Sequence, residues 1–212
     1  MSLRKLTTLL GLAVGVGALL LQFWLSMTAR LALGGGVLDA LLWFFTYFTI
    51  LTNLMLVLVY LSALTKTGWL AWWRSPVTRA MMAAAMTLVM AFYHFVLAAT
   101  WNPQGLFHVA DVLLHYATPL IYLGWWLVFE PKGRLRFTSI GWMLVPPLVW
   151  LAWAMARGAV VNEYPYPVLE AHVIGYPQVL ANIAGLLPVL IALFAAAVAL
   201  DRLLGRRQQA AG

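Results

Sequence analysis

The sequence predicts an all-α polytopic membrane protein, a six-transmembrane-helix bundle forming a single transmembrane domain over residues 1–212. Three observations carry that expectation. The composition is 64% hydrophobic and only 9% charged, against about 25% charged residues in a soluble domain. The charges gather at both ends and in short segments between apolar runs of about 20 residues, the length that crosses a hydrocarbon core. The segments between those runs are too short to fold outside the membrane.

The first run, 6–29, follows Arg4 and Lys5, as the apolar core of a signal peptide would. It is too long for one and lacks a small-residue cleavage site, so it reads as helix one. Its Gly11, Gly15 and Gly17 permit close approach of a neighbouring helix. Gly34-Gly35-Gly36 leads into the second run, 39–64, which carries Thr46, Thr49, Thr52 and Asn53. Ser75-Pro76 introduces the third, 78–100, with His94, and Asn102-Pro103-Gln104-Gly105 the fourth, 108–129, with Asp111 and His115. Pro131-Lys132-Gly133 precedes the fifth, 138–156, and Tyr164-Pro165-Tyr166-Pro167 the sixth, 176–200, with Asn182. These are turn signals where turns are needed. Helices one and six are rich in Leu and Ala and read as lipid-facing packing elements.

Charge orients the bundle. Arg4, Lys5, Lys66, Arg74, Arg79, Lys132, Arg134, Arg136, Arg202, Arg206 and Arg207 fall on one side, leaving only Arg30 and Arg157 on the other. Short loops rich in Lys and Arg stay in the cytoplasm. Both termini are therefore expected inside a bacterial inner membrane, with loops one, three and five outside.

The same placement explains the net charge of +7 by anionic lipid head groups at helix ends, and nucleic acid is not an expected partner. There is no cysteine, which removes disulfides, thiolate metal sites and cysteine nucleophiles. His94, His108, His115 and His172 lack metal-ligand spacing, and Gly-rich phosphate loops, nucleophile elbows and haem motifs are missing. No metal and no cofactor is expected. The tryptophans fall mostly near helix ends, as interfacial belts do.

Polar residues inside a bilayer are costly and usually face the bundle interior. With about 1.5 Å of rise per residue, Thr49 and Asn53 lie about 15 to 20 Å below the outer end of a straight helix two, and Asp111, His115, His94 and Asn182 also fall in the outer half. Loop five adds Glu163, Tyr164, Tyr166, Glu170 and His172 above them. The pattern predicts one outward-opening polar pocket lined by Thr49, Asn53, His94, Asp111, His115 and Asn182. Asp111 and His115 are four apart on one helix face. A carboxylate that orients an imidazole, and an imidazole that takes a proton from a hydroxyl, make an activated nucleophile. The bland alternative is that each Thr bonds its own helix and each Asn bridges two helices.

Three segments carry a resemblance: Phe48-Thr49-Ile50-Leu51-Thr52-Asn53-Leu54, His115-Tyr116-Ala117-Thr118-Pro119 and Tyr164-Pro165-Tyr166-Pro167-Val168-Leu169-Glu170. In order and spacing they resemble the six-transmembrane family of the androgen-induced and androgen-dependent membrane threonine hydrolases, closest to its bacterial branch, over helices two to six. The resemblance implies a Thr nucleophile in the second span and a His in the fourth, acting on fatty acid esters of hydroxy fatty acids. His115 falls on the histidine position, with three residues between it and Pro119 where those relatives have four. Anchoring on Asn53-Leu54 places the nucleophile at Ile50, and a one-residue shift brings Thr49 into register. Thr52 is a second candidate hydroxyl.

The leading expectation is a hydrolase of lipid esters, with Thr49 as nucleophile, His115 as base, Asp111 orienting it and Asn53 donating to the oxyanion. Two others stand beside it: a protein that binds or transports a lipid or small amphiphile without chemistry, and a structural subunit whose polar residues pair off.

Overall fold

The computed structural model describes residues 1–210; they are 83% helix and contain no strand. Helix α1 (Leu3–Ala32) starts at Ser2, whose hydroxyl accepts the Lys5 N–H, the usual role of a side chain at a helix N-cap. Helices α2 (Val37–Phe44) and α3 (Phe48–Leu64) occupy the stretch expected as one helix over 39–64 and meet at a bend of 76°. The break is locally satisfied. Thr46 Oγ1 donates to the Leu42 carbonyl, and the Trp150 indole donates to the Thr46 carbonyl at 2.8 Å. Irregular backbone inside a membrane protein is tolerated where such partners replace the lost helical bonds.

Helix α4 (Pro76–Phe92) begins with proline, whose missing N–H costs nothing there, and runs into a π-helical turn, Tyr93–Leu97. Helix α5 (Leu106–Val112), a second π-helical turn at Leu113–Ala117, and α6 (Thr118–Phe129) form one rod. Pro119 has no N–H for the carbonyl of His115 four residues back, and a widened turn relieves the clash of its ring with that carbonyl. Helices α7 (Ile140–Val161), α8 (Ala171–Ile174) and α9 (Tyr176–Ala210) complete the chain. Five helices are long and apolar enough to cross a bilayer, or six if the bent α2–α3 pair is one span.

The central element is α4, half of whose most apolar stretch is buried, against 17–33% in the other long helices. Ala80, Ala83 and Ala84 let neighbours approach it, and Met82 and Met86 pack with Tyr60, Tyr122, Trp125, Met143, Phe194 and Val198. Helices α1 and α9 are more than lipid-facing elements. Gly11 sits beneath the Tyr60 ring, where a Cβ would collide, and Gly15 meets Val57, while Gly17 faces open space. Phe194 and Val198 of α9 are fully buried.

At one end of the bundle, Arg30 pairs with Asp39 at 2.7 Å and with Glu163 at 2.7 Å, and Arg157 pairs with Glu163 at 3.3 Å. This fastens α1, α2, α7 and the segment before α8 together. The opposite end carries the segments rich in Lys and Arg, and it is more than a rim of positive charge. Arg79 and Glu130 form a buried ion pair, the Lys132 ammonium lies 3.6 Å from the centre of the Trp126 ring, and Asp201 Oδ2 accepts the N–H groups of Gly133, Arg134 and Leu135.

Candidate functional site

Because α3 begins at Phe48, Thr49 lies in its first turn and has no helical turn behind it. The consequence is chemical. Thr8, Thr52 and Thr118 each turn their hydroxyl back onto a carbonyl of their own helix, and Thr46 onto the last turn of α2, as threonines in apolar helices commonly do. Thr49 does not. Its Oγ1 lies 3.4 Å from His115 Nε2 and 3.3 Å from the Tyr166 hydroxyl. The expected depth of Thr49, about 15 Å down a straight helix, is thus replaced by a place at the break itself.

His115 sits in the π-helical turn between α5 and α6, stacked on Tyr93 with ring centres 4.1 Å apart. Its Nδ1 lies 3.0 Å from the Asp111 carbonyl oxygen and 3.2 Å from Asp111 Oδ1. A carbonyl and a carboxylate are acceptors only, so Nδ1 carries a proton, and in the neutral imidazole Nε2 is the acceptor that faces Thr49. The Tyr166 hydroxyl receives the Thr49 N–H at 3.3 Å, leaving its own proton free for Thr49 Oγ1. Burial holds the Tyr166 phenol above its ordinary pKa, against the opposing effect of its bonds with Thr49; it is therefore protonated and a donor. The result is a directed chain from Tyr166 through Thr49 and His115 to Asp111.

Asn53 is fully buried and fully engaged. Its Nδ2 donates to the Thr49 carbonyl at 2.8 Å and to the Leu114 carbonyl at 3.3 Å, and its Oδ1 accepts from Thr118. With both amide hydrogens committed, it has none for an oxyanion, contrary to the sequence expectation. It instead ties the backbone of Thr49 to the turn that carries His115. Thr52, bonded to the carbonyls of Phe48 and Thr49, is buried away from both cavities.

Two cavities meet at this chain and share Thr49, Leu97, His115 and Tyr166. One is an apolar groove of about 130 Å³ between α4, α7 and α9, walled by Leu88, Phe92, Pro147, Leu151, Leu187 and Leu190. The other is a chamber of about 490 Å³ toward the Arg30–Glu163 end, reached by Tyr164, Glu170 and Asp111. Tyr164 packs on the α7 backbone at Gly158. Of the residues expected to share the pocket, Asn53, His94 and Asn182 line neither cavity. His94 is exposed with Nδ1 3.0 Å from the Tyr116 hydroxyl, and Asn182 donates to the Val168 carbonyl at 2.8 Å, which steadies the segment before α8. At the start of the π-helical turn Tyr93 is buried and lines the chamber while His94 is exposed, so the pocket takes a tyrosine where a histidine was expected.

Gln22 and Ser26 of α1, bonded to each other at 2.9 Å, also line the chamber. They stand four apart in the otherwise apolar stretch from Leu9 to Met27, a spacing visible in the sequence. Among the described residues no group of His, Asp and Glu is placed to hold a metal ion. The chain matches no family model, curated protein or solved structure.

Proposed function

We propose that this chain is a six-span hydrolase of lipid esters, both termini cytoplasmic in a bacterial inner membrane, with Thr49 as nucleophile, His115 as base and Asp111 orienting the imidazole. The observation that carries the reading is the Thr49 hydroxyl, free of its own helix and 3.4 Å from His115 Nε2. The resemblance to the membrane threonine hydrolases points the same way. Thr49 Oγ1 attacks the ester carbonyl carbon while its proton passes to Nε2, and the Tyr166 O–H, released from Thr49 Oγ1 as that oxygen bonds to carbon, turns to the oxyanion. Collapse breaks the bond to the alcohol oxygen, which takes the proton back from Nε2. A water then repeats the sequence on the acyl-threonine and releases the acid. The apolar groove suits an acyl chain, and the chamber suits the rest of the ester.

Fluorophosphonate labelling of purified protein tests this. The wild type is labelled and Thr49→Ala and His115→Ala are not, whereas Thr52→Ala labels normally. Equal labelling of Thr49→Ala would sink the assignment. The size of the chamber favours a second reading, a carrier or receptor for an amphiphile without chemistry. That reading gains if ligand binding survives in a wild type that hydrolyses no ester.

A further inference from the structure

We infer that the chamber selects esters whose polar half carries no negative charge, a polyol or an ammonium, over those ending in a free carboxylate, and so departs from the fatty acid esters of hydroxy fatty acids that the resemblance implies. The inference rests on the proposed reading only for which half of an ester enters the chamber. Among the described residues, the charged side chains that line it are Asp111 and Glu170, with His115 beside them and no Lys or Arg. Asp111 is only 6% exposed, and its Oδ2 has no hydrogen-bond partner. A buried carboxylate oxygen left unpaired is costly, and a ligand hydroxyl or cation entering the chamber supplies what it lacks. Glu170 takes part in no ion pair among the described residues, so even with Asp111 offset by His115 the space stays negative.

The positive groups at that end do not change the balance. The Arg30 guanidinium lies 5.9 Å from the centre of the Trp43 ring, whose residue lines the chamber. It is engaged by Asp39 and Glu163, which also hold Arg157. Two cations and two anions cancel. The aromatic side chains Trp43, Tyr47, Trp101 and Tyr164 face the same space, and such rings suit sugar-like or quaternary ammonium groups. A carboxylate there meets like charge across a poorly screened gap, worth about tenfold in affinity at a separation of about 10 Å.

Non-hydrolysable ethers test the inference without needing catalysis. Octadecyl ethers of glycerol, of choline and of 12-hydroxydodecanoate are titrated against the protein in a neutral detergent, and affinity is read by ligand-induced thermal stabilisation. The carboxylate ether is expected to bind about tenfold more weakly than the other two, and Glu170→Gln to close most of that gap while the variant still melts cooperatively. Equal or tighter binding of the carboxylate ether overturns the inference, as does binding of none of the three. So does an order that neither Glu170→Gln nor Asp111→Asn moves. The matching esters separate the two readings. No turnover with the binding order intact removes the hydrolase and leaves the selectivity, and fastest turnover of the carboxylate ester does the reverse.

Discussion

Replacing His115 with alanine removes more than the base of the proposed hydrolysis, and the structure says how much more. The imidazole stacks on Tyr93 at 4.1 Å and satisfies Asp111 through Nδ1. Loss of the stack costs about 1 kcal/mol and loss of the hydrogen bond about 1 kcal/mol. Asp111, buried and already unpaired at Oδ2, then has both oxygens unpaired, for a further 1 to 3 kcal/mol or so. About 4 kcal/mol in all lowers the melting temperature by about 10 °C in a chain of this size. Turnover should fall by about 10² to 10⁴, the usual worth of a general base. Both effects appear in His115→Ala, so the double variant with Asp111→Asn separates them. Without a buried carboxylate to strand, it regains much of the lost stability and none of the activity. The assay is turnover of a long-chain ester in detergent beside a melting curve. Full turnover in His115→Ala, or recovery of activity in the double variant, would refute the reasoning.

Asn53→Leu keeps the side-chain volume and removes the bridge between α3 and the turn that carries His115. Interhelical hydrogen bonds in membranes are worth about 0.6 to 1.7 kcal/mol, so melting should drop by only a few degrees while turnover falls about tenfold or more through misplacement; unchanged turnover would deny Asn53 its positioning role. Arg79→Ala should destabilise by about 3 to 5 kcal/mol by stranding Glu130, and Arg79→Met with Glu130→Leu by far less, as thermal unfolding would report. Burial pushes the Lys132 ammonium down to about 8, while the unfolded chain keeps its proton to about 10.4. Between those values the unfolded state binds more protons, so stability rises with pH across that window; melting curves of Lys132→Met should lack the rise. Reporter fusions after Arg207 and within 102–105 should read cytoplasmic and periplasmic respectively, and a periplasmic signal from the first would reverse the orientation.

Sequence periodicity located the helices because apolar runs and turn signals are local properties. It marked Thr49, Asp111 and His115 because a helix repeat alone brings the last two together and because ionisable groups in apolar runs are conspicuous. It offered no means of choosing between Thr49 and Thr52. That choice depends on a helix break at 45–47, which is stabilised by the Trp150 indole, about a hundred positions away, and leaves only one of the two threonines without a carbonyl of its own helix. The exchange of His94 for Tyr93 is similar. His94 was placed in the pocket by its depth along the helix, and depth from a rise of about 1.5 Å per residue does not say which side of the helix a residue occupies. Asn53 was misread for a third reason, since an amide looks like a free donor until its partners on α5–α6 are in place.

The apolar groove has a kinetic consequence. It lies between α4, α7 and α9, with Leu148 at its edge 45% exposed, on flanks that only acyl chains would wet. If the proposed hydrolysis takes its acyl chain from this groove, the substrate travels within the plane of the bilayer and never partitions into water. Its encounter rate is then set by surface mole fraction. Diluting the ester with inert detergent at constant bulk concentration should slow turnover, and adding buffer at a constant ester-to-detergent ratio should leave the rate per protein unchanged.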